Sequence, residues 1–184
     1  LGATFKGNTD YRILLDSVQD VNGNISSASK TFTTVVDTSA PNLYDWTLYS
    51  SSLIDGTVYR GMAGATALQV ESNISFTAPE TLQMAATGHI YLRRGAVNTT
   101  PTVVEDFDLS NQVLSNGVYT VTSSSGTGSV LTLNNRTITI NPGYALNYAS
   151  TYEVTTSSGA LTDLSGNAAT GFAGAGTVGS SLYF

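Results

Sequence analysis

The chain has 184 residues, a formal net charge of −6 and no cysteine. Disulfide frameworks, thiolate metal sites and cysteine nucleophiles are thereby excluded, and there is no basic stripe to neutralise the phosphates of a nucleic acid. Hydrophobic residues make up 41% and charged residues only 11%, which leaves apolar material for a packed core and rules out a polyelectrolyte tail.

Ten tyrosines, with abundant Val, Ile and Thr, favour strands over helices. The opening "LGATFKGNTD" has no basic-then-apolar leader and reads as a cut inside a longer protein or as a processed mature end. "DYRILLDSV" and "SSASKTFTTVV" read as two strands. "VVDTSAP" reads as a joint, because the residue before a proline, here Ala40, is pushed toward an extended conformation. The residues before this joint are too few to form a stable sandwich alone. Residues 1–36 are therefore expected to be the last two strands of a preceding domain, or strands lent to another subunit. Residues 37–41 are the linker and residues 42–184 the main domain.

Beyond the joint, period-two patterns dominate. In "QVESNISF" Val70, Ile74 and Phe76 share a face. "TAPETLQMAATG" is the best candidate for one short helical turn, with Pro79 early and Glu80 near its positive end. In "HIYLRR" Ile90 and Leu92 alternate with Tyr91 and Arg93. "VLTLNNRTITI" reads as a hairpin that turns at Asn134 and Asn135, with Leu131, Leu133, Ile138 and Ile140 inward. "TYEVTT" places Tyr152 and Val154 on one face. Many short strands between Gly, Asn and Ser turns imply an antiparallel sandwich.

Several of these phrases resemble a known family. "SNISFTAPETL", "TGHIYLRRG", "RTITINPGYALNYASTYEVTTSSGALTDLSGNA" and "SLYF" are similar to the bacterial Ig-like domain of S-layer proteins and of tandem repeats in large surface adhesins. The resemblance covers residues 39–184, and residues 10–36 look like the end of another Ig-like or fibronectin-like repeat. It implies an all-β fold, an Ig-like antiparallel β-sandwich preceded by strands of a partial repeat. It also implies a structural role at the bacterial cell surface, in an S-layer, a sheath or an adhesin stalk; a glycan- or protein-binding adhesin module and a non-catalytic domain of a secreted hydrolase are the alternatives. Neighbouring repeats or copies of the chain itself are the expected partners. Where the family has Ser-Glu-Pro, this chain has Thr77-Ala78-Pro79 followed by Glu80, which weakens an acidic site carried over to that loop.

Candidate chemistry centres on a phrase used twice, Asp-x-x-Gly-Asn, at residues 20–24 and 163–167. One reading is a turn closing a terminal hairpin, in which Gly23 and Gly166 supply positive φ. The other is a hard-cation site, since calcium takes six to eight oxygens from carboxylates, amides and carbonyls. In an Ig-like sandwich the loop joining the last two strands shares a pole with the incoming linker. Asp37, Asp163 and Asn167 would then converge on a calcium ion at the joint, and Asp20 with Asn24 would be a lesser copy. In "EDFDL", Glu105, Asp106 and Asp108 are candidates for a cation site or for a solvated cluster protecting an edge. The single histidine, His89, has no cysteine or nucleophile-elbow serine beside it, so no enzyme is expected. Tyr44, Trp46, Tyr49 and Tyr59 suit either sugar stacking, with a glycan as partner, or plain core packing. Both lysines, Lys6 and Lys30, precede the joint, so residues 39–184 cannot form a Lys–Asn cross-link. No long apolar span is present, so no membrane-spanning helix is expected.

Overall fold

The computed structural model describes residues 5–41, 47–50, 59–60, 73–95, 100–169 and 182–183. The chain divides into two units, Leu1–Ser39 and Ala40–Phe184. The aromatic group Tyr44, Trp46, Tyr49 and Tyr59 lies outside the residues whose side chains are described.

The first unit is one antiparallel hairpin of β1 (Asp10–Gln19) and β2 (Ile25–Thr33). A bulge between Leu15 and Val18, with Ser17 at φ 54°, inserts one extra residue into β1. The bulge keeps Val18 on the side of Tyr11, Ile13 and Leu15, while Leu14 and Ile25 stand on the other. Tyr11, Ile13, Leu15 and Val18 stand opposite Phe32, Lys30, Ala28 and Ser26. Phe5 packs edge-on against Tyr11 and Phe32, at 4.7 and 5.6 Å between ring centroids. Even so, Ile13, Leu15 and Val18 remain more than half exposed.

A self-contained turn closes this hairpin. The Asp20 Oδ1 accepts the backbone N–H groups of Asn22 and Asn24 at 2.8 and 2.9 Å, and its Oδ2 accepts the Asn24 Nδ2 at 2.8 Å. Gly23, at φ 87°, donates its N–H to the Asp20 carbonyl at 3.1 Å. An L side chain is strained at that φ, so glycine is required there.

The second unit is a sandwich. One sheet has seven strands in the order β4-β3-β5-β12-β11-β10-β9. These are β3 (Thr47–Ser50), β4 (Tyr59–Arg60), β5 (Ile74–Thr77), β9 (Val113–Ser115), β10 (Val118–Thr122), β11 (Val130–Asn134) and β12 (Thr137–Asn141). The other has four, β15-β13-β7-β8. They are β7 (His89–Arg94), β8 (Thr102–Asp108), β13 (Tyr152–Thr156) and β15 (Leu182–Tyr183). A short ladder pairs β6 (Leu82–Met84) with β14 (Leu161–Asp163).

Alternation puts the apolar residues of both sheets into a single core. Ile74, Phe76, Leu131, Leu133, Ile138 and Ile140 come from the larger sheet, and Ile90, Leu92, Phe107, Tyr152 and Val154 from the smaller. The period-two expectations for these strands therefore hold. Two details differ. Asn134 pairs with Thr137, so the hairpin turns at Asn135 and Arg136, and only Asn135 takes positive φ, at 56°. Residues 82–84 form a strand rather than a helical turn. Leu82 and Met84 are two apart, which matches a pleat, and pairing with β14 buries both. The described residues contain no α-helix; a single 3₁₀ turn sits at Leu109–Asn111.

A glycine at position 143 permits one close approach. A Cβ there would stand 2.1 Å from the Thr127 carbonyl oxygen and 2.9 Å from the Ser129 nitrogen. Gly143→Ala should therefore destabilise the second unit more than its single added methyl suggests, by at least about 1–3 kcal/mol. Leu133→Ala should lose about 2–5 kcal/mol through its core cavity. Urea melts followed by circular dichroism measure both.

Asp20 gives a separate, local readout. The Asn24 side chain, and then its backbone N–H, hold the Asp20 carboxyl below its ordinary value of 3.8. The folded pKa is depressed, so this turn's support is complete above the unfolded value. It is lost as pH falls through the folded one. Carboxyl-carbon NMR should show Asp20 titrating below 3.8, and Asn24→Ala should move it back up.

Candidate functional site

The second copy of the repeated phrase follows β14, where Asp163 pairs opposite Leu82 of β6. Asp163 is only 2% exposed. A buried carboxylate must be paired or hydrogen-bonded. Here its own loop supplies the donors. Oδ1 accepts the N–H groups of Ser165 and Asn167, each at 2.8 Å, and Oδ2 accepts Asn167 Nδ2 at 2.7 Å. The Asp163 N–H donates to the Asn167 carbonyl at 3.0 Å, and Gly166 sits at φ 92°. Bond for bond, this is the turn made by Asp20 and Asn24. The turn reading therefore accounts for both copies, and these charge-assisted bonds are stronger than neutral ones.

A second carboxylate lies beside this turn. A Glu80 oxygen comes within 4.8 Å of an Asp163 oxygen. The bend that carries Glu80 is pinned from the β11–β12 turn. Ala78 N–H donates to the Arg136 carbonyl at 2.8 Å, Leu82 N–H to the Asn135 carbonyl at 2.9 Å, and the Thr81 hydroxyl to Asn135 Oδ1 at 2.6 Å. Two carboxylates at this separation repel, by about 3–4 kcal/mol at an effective dielectric of ~20. A calcium ion held at roughly 2.3–2.6 Å from each ligand fits between oxygens less than about 5 Å apart. The donor chemistry is right for a hard cation, although two carboxylates fall short of its full ligand number. Glu80 was missed in the sequence, where its position after Pro79 argued against an acidic site in this loop. The pinned bend turns it back toward Asp163.

The other sequence candidates are placed as follows. Asp37 lies in the first unit and accepts the Ser39 N–H at 2.9 Å. Asp20 and Asn24 form the exposed turn described above; among the described residues they join no cluster of three acids or histidines. Asp106 and Asp108 do share the outer face of β8. Asp106 accepts His89 Nδ1 at 2.7 Å. Asp108 accepts the Ser110 hydroxyl and N–H, which hold its carboxyl below the usual range.

Glu105 departs from the solvated cluster expected of "EDFDL". A bulge in β8 sets both Glu105 opposite Leu92 and Val103 opposite Arg93. Glu105 then points inward and is fully buried. Its Oε2 accepts the Thr127 hydroxyl at 2.8 Å, which ties β8 to the loop before β11. Burial, followed by the nearby Glu105 charge, pushes the Tyr144 phenol far above its ordinary value.

On the outer face of β7, the His89 and Tyr91 rings stack 5.5 Å apart and nearly parallel. Arg93 also lies over the Tyr91 ring, at 4.7 Å from its centroid. No hydroxyl is bonded to the His89 ring among the described residues. No helix among them is long and apolar enough to cross a membrane.

No curated protein and no solved structure matches the chain. The family model of the bacterial Ig-like domain matches residues 57–175, more than half of the sequence and most of the sandwich described above. Two packed antiparallel sheets, a core built by alternation and this match agree: the chain belongs to the bacterial Ig-like domain family.

Proposed function

We propose that this chain is a non-catalytic scaffold module of an extracellular bacterial surface protein, of the S-layer, sheath or adhesin-stalk kind, built from tandem Ig-like repeats. Bacterial Ig-like domains occur in bacterial surface proteins. One observation carries the tandem reading: the same five-residue turn, with the same hydrogen bonds, recurs in each unit, closing the β1–β2 hairpin in the first and reversing the chain after β14, where Thr162 bridges Ala168, in the second. Residues 1–36 then represent the closing hairpin of a further Ig-like fold. Their exposed face of Ile13, Leu15 and Val18 is the side that an opposing sheet would cover. An isolated two-stranded hairpin is marginal in water, so that sheet comes from an adjoining repeat or from a neighbouring copy.

Calcium belongs to this proposal. Asp163, Asn167 and Glu80 supply oxygens of the right kind at one end of the sandwich, and the repulsion between the two carboxylates supports a cation there. The sequence-based assignment of Asp37 to the same ion is part of the proposal, and Asp37→Ala tests it. Among the described residues Asp20 and Asn24 repeat the turn outside any cluster of three acids or histidines, so the ion is assigned to the second copy.

Two measurements test this function. In hydrogen exchange on the dilute chain, the β1–β2 amides should exchange far faster than those of β11–β12, because the hairpin lacks its cover. Equal protection in both would remove the need for an adjoining sheet. In thermal melts, calcium about 100-fold above its dissociation constant should raise the second unit's midpoint by about 5–10 °C. Glu80→Gln should abolish that rise and, by removing the carboxylate repulsion, should raise rather than lower the midpoint in chelator. A wild-type chain that melts identically with calcium and with chelator takes the ion out of the proposal.

A further inference from the structure

The outward face of the seven-stranded sheet is a grid of polar side chains. Strand register sets Thr120, Thr132, Thr139 and Ser75 in one row across β10, β11, β12 and β5. Val118, Asn134, Thr137 and Thr77 form the next row. Neighbours in a row are about 4.8 Å apart, and the rows are about 6.8 Å apart along the strands. Threonine on a strand surface is what β-propensity alone would select. Three further observations set this patch apart.

The first is shape. The face is hollowed into a groove of about 560 Å³, lined by Thr132, Asn134, Arg136, Thr137, Thr139 and Val118, among others. That volume falls within the ordinary range for small-ligand sites. The second is charge. Arg136, at the hairpin turn, is the only charged residue in the lining. Among the described residues its guanidinium forms no ion pair or hydrogen bond. The third is unspent hydrogen-bonding capacity. The Thr132 hydroxyl and the Asn134 amide are likewise unbonded among the described residues. Thr139 bonds Ser75 at 2.9 Å and Thr137 bonds Thr77 at 3.1 Å, and each hydroxyl keeps further donor or acceptor capacity.

These features select the ligand class. With one arginine in a chain of net charge −6, the groove cannot hold a nucleic acid, which needs several phosphate contacts. Val118 is its one apolar lining residue, so an apolar peptide has little to bury against. Hydroxyls repeated at sheet spacing suit a partner that itself repeats hydroxyls. A planar guanidinium suits a carboxylate, which it can grip with two parallel bonds.

We propose that this groove binds a carbohydrate strand that carries a single uronic-acid residue among neutral sugars. Arg136 holds a carboxylate, and Thr132, Asn134 and Thr139 hydrogen-bond ring hydroxyls. The site goes beyond the scaffold reading and does not depend on it: a calcium melt can fail while the groove still binds.

The test is an NMR titration of the ¹⁵N-labelled full chain, in chelator, so that calcium cannot bridge protein and sugar. The probes are a malto-oligosaccharide whose terminal glucose is oxidised to glucuronic acid, carrying one carboxylate, and the neutral malto-oligosaccharide of equal length. Saturable shifts from the uronate alone, centred on Thr132 and Asn134 to Thr139, are expected. Arg136→Ala should weaken binding at least about tenfold, the scale of a lost hydrogen bond to a charged group. Thr132→Val should weaken it by a smaller factor, and both variants should keep the wild-type melting temperature. The proposal is overturned by any of four results: no saturable shift at millimolar probe, shifts centred elsewhere, equal affinity for the neutral oligomer, or undiminished binding by Arg136→Ala.

Discussion

Everything in the second unit depends on strand parity. A side chain on a strand points either into the gap between the sheets or out of it, and a slip of one residue exchanges the two sets. Ile138 and Ile140 meet Leu133 and Leu131 across one ladder, and Ile90 and Leu92 meet Thr156 and Val154 across another. Slipping either ladder would place further Thr and Arg side chains in a core built mainly of close-packed apolar groups. The bulge in β8 is the instructive exception. Val104, its extra residue, still packs against the core, while Glu105 enters it at a point where the Thr127 hydroxyl can meet its carboxylate. The pattern tolerates an inward charge only where a donor from the opposite sheet's loops is already in place.

The repeated turn obeys a different and wholly local rule. Asp20 is exposed and Asp163 is buried, yet both carboxylates accept the same backbone and amide donors at nearly the same distances. Geometry that survives such a change of surroundings is set by its own five residues: an aspartate acceptor, a glycine at positive φ and an asparagine that closes the ring of bonds. That is why the phrase can recur far apart in the chain without sharing a function. What distinguishes the second copy is its neighbour, Glu80, brought in by another part of the fold.

This contrast explains how much was legible in the sequence. Local patterns were readable. The inward residues of β11 and β12 follow from their spacing, and the Asp-x-x-Gly-Asn turn follows from its composition. Features set by distant partners were not. β6 looked like a helical start because Pro79 and Glu80 suit one, but its partner β14 lies some eighty residues away, and pairing outweighs a weak local preference. The hairpin turn was displaced by one residue, because two asparagines in succession leave its position undetermined. Glu105 was visible as an acid, but its inward direction depends on a bulge with no sequence mark. Glu80 comes near Asp163 where Asn135 and Arg136, more than fifty residues on, pin its bend and Leu82 pairs with Asp163.

The two outer faces of the sandwich complete the picture, since parity that fixes the core leaves them free to differ. On the smaller sheet the outward groups satisfy one another. Asp106 takes His89, His89 stacks on Tyr91, and Arg93 lies over Tyr91 while its Nε donates to Thr155 at 3.1 Å. The polar groups of such a face have little left to offer a ligand. On the larger sheet the hydroxyls pair only sideways, and Arg136 and Asn134 have no described partner. Neither arrangement alters the inward set, so the core places no constraint on which outer face is self-satisfied and which is not. A sandwich built this way leaves one outer face satisfied by its own contacts and the other with groups to offer a ligand, with the same residues between them holding both in place.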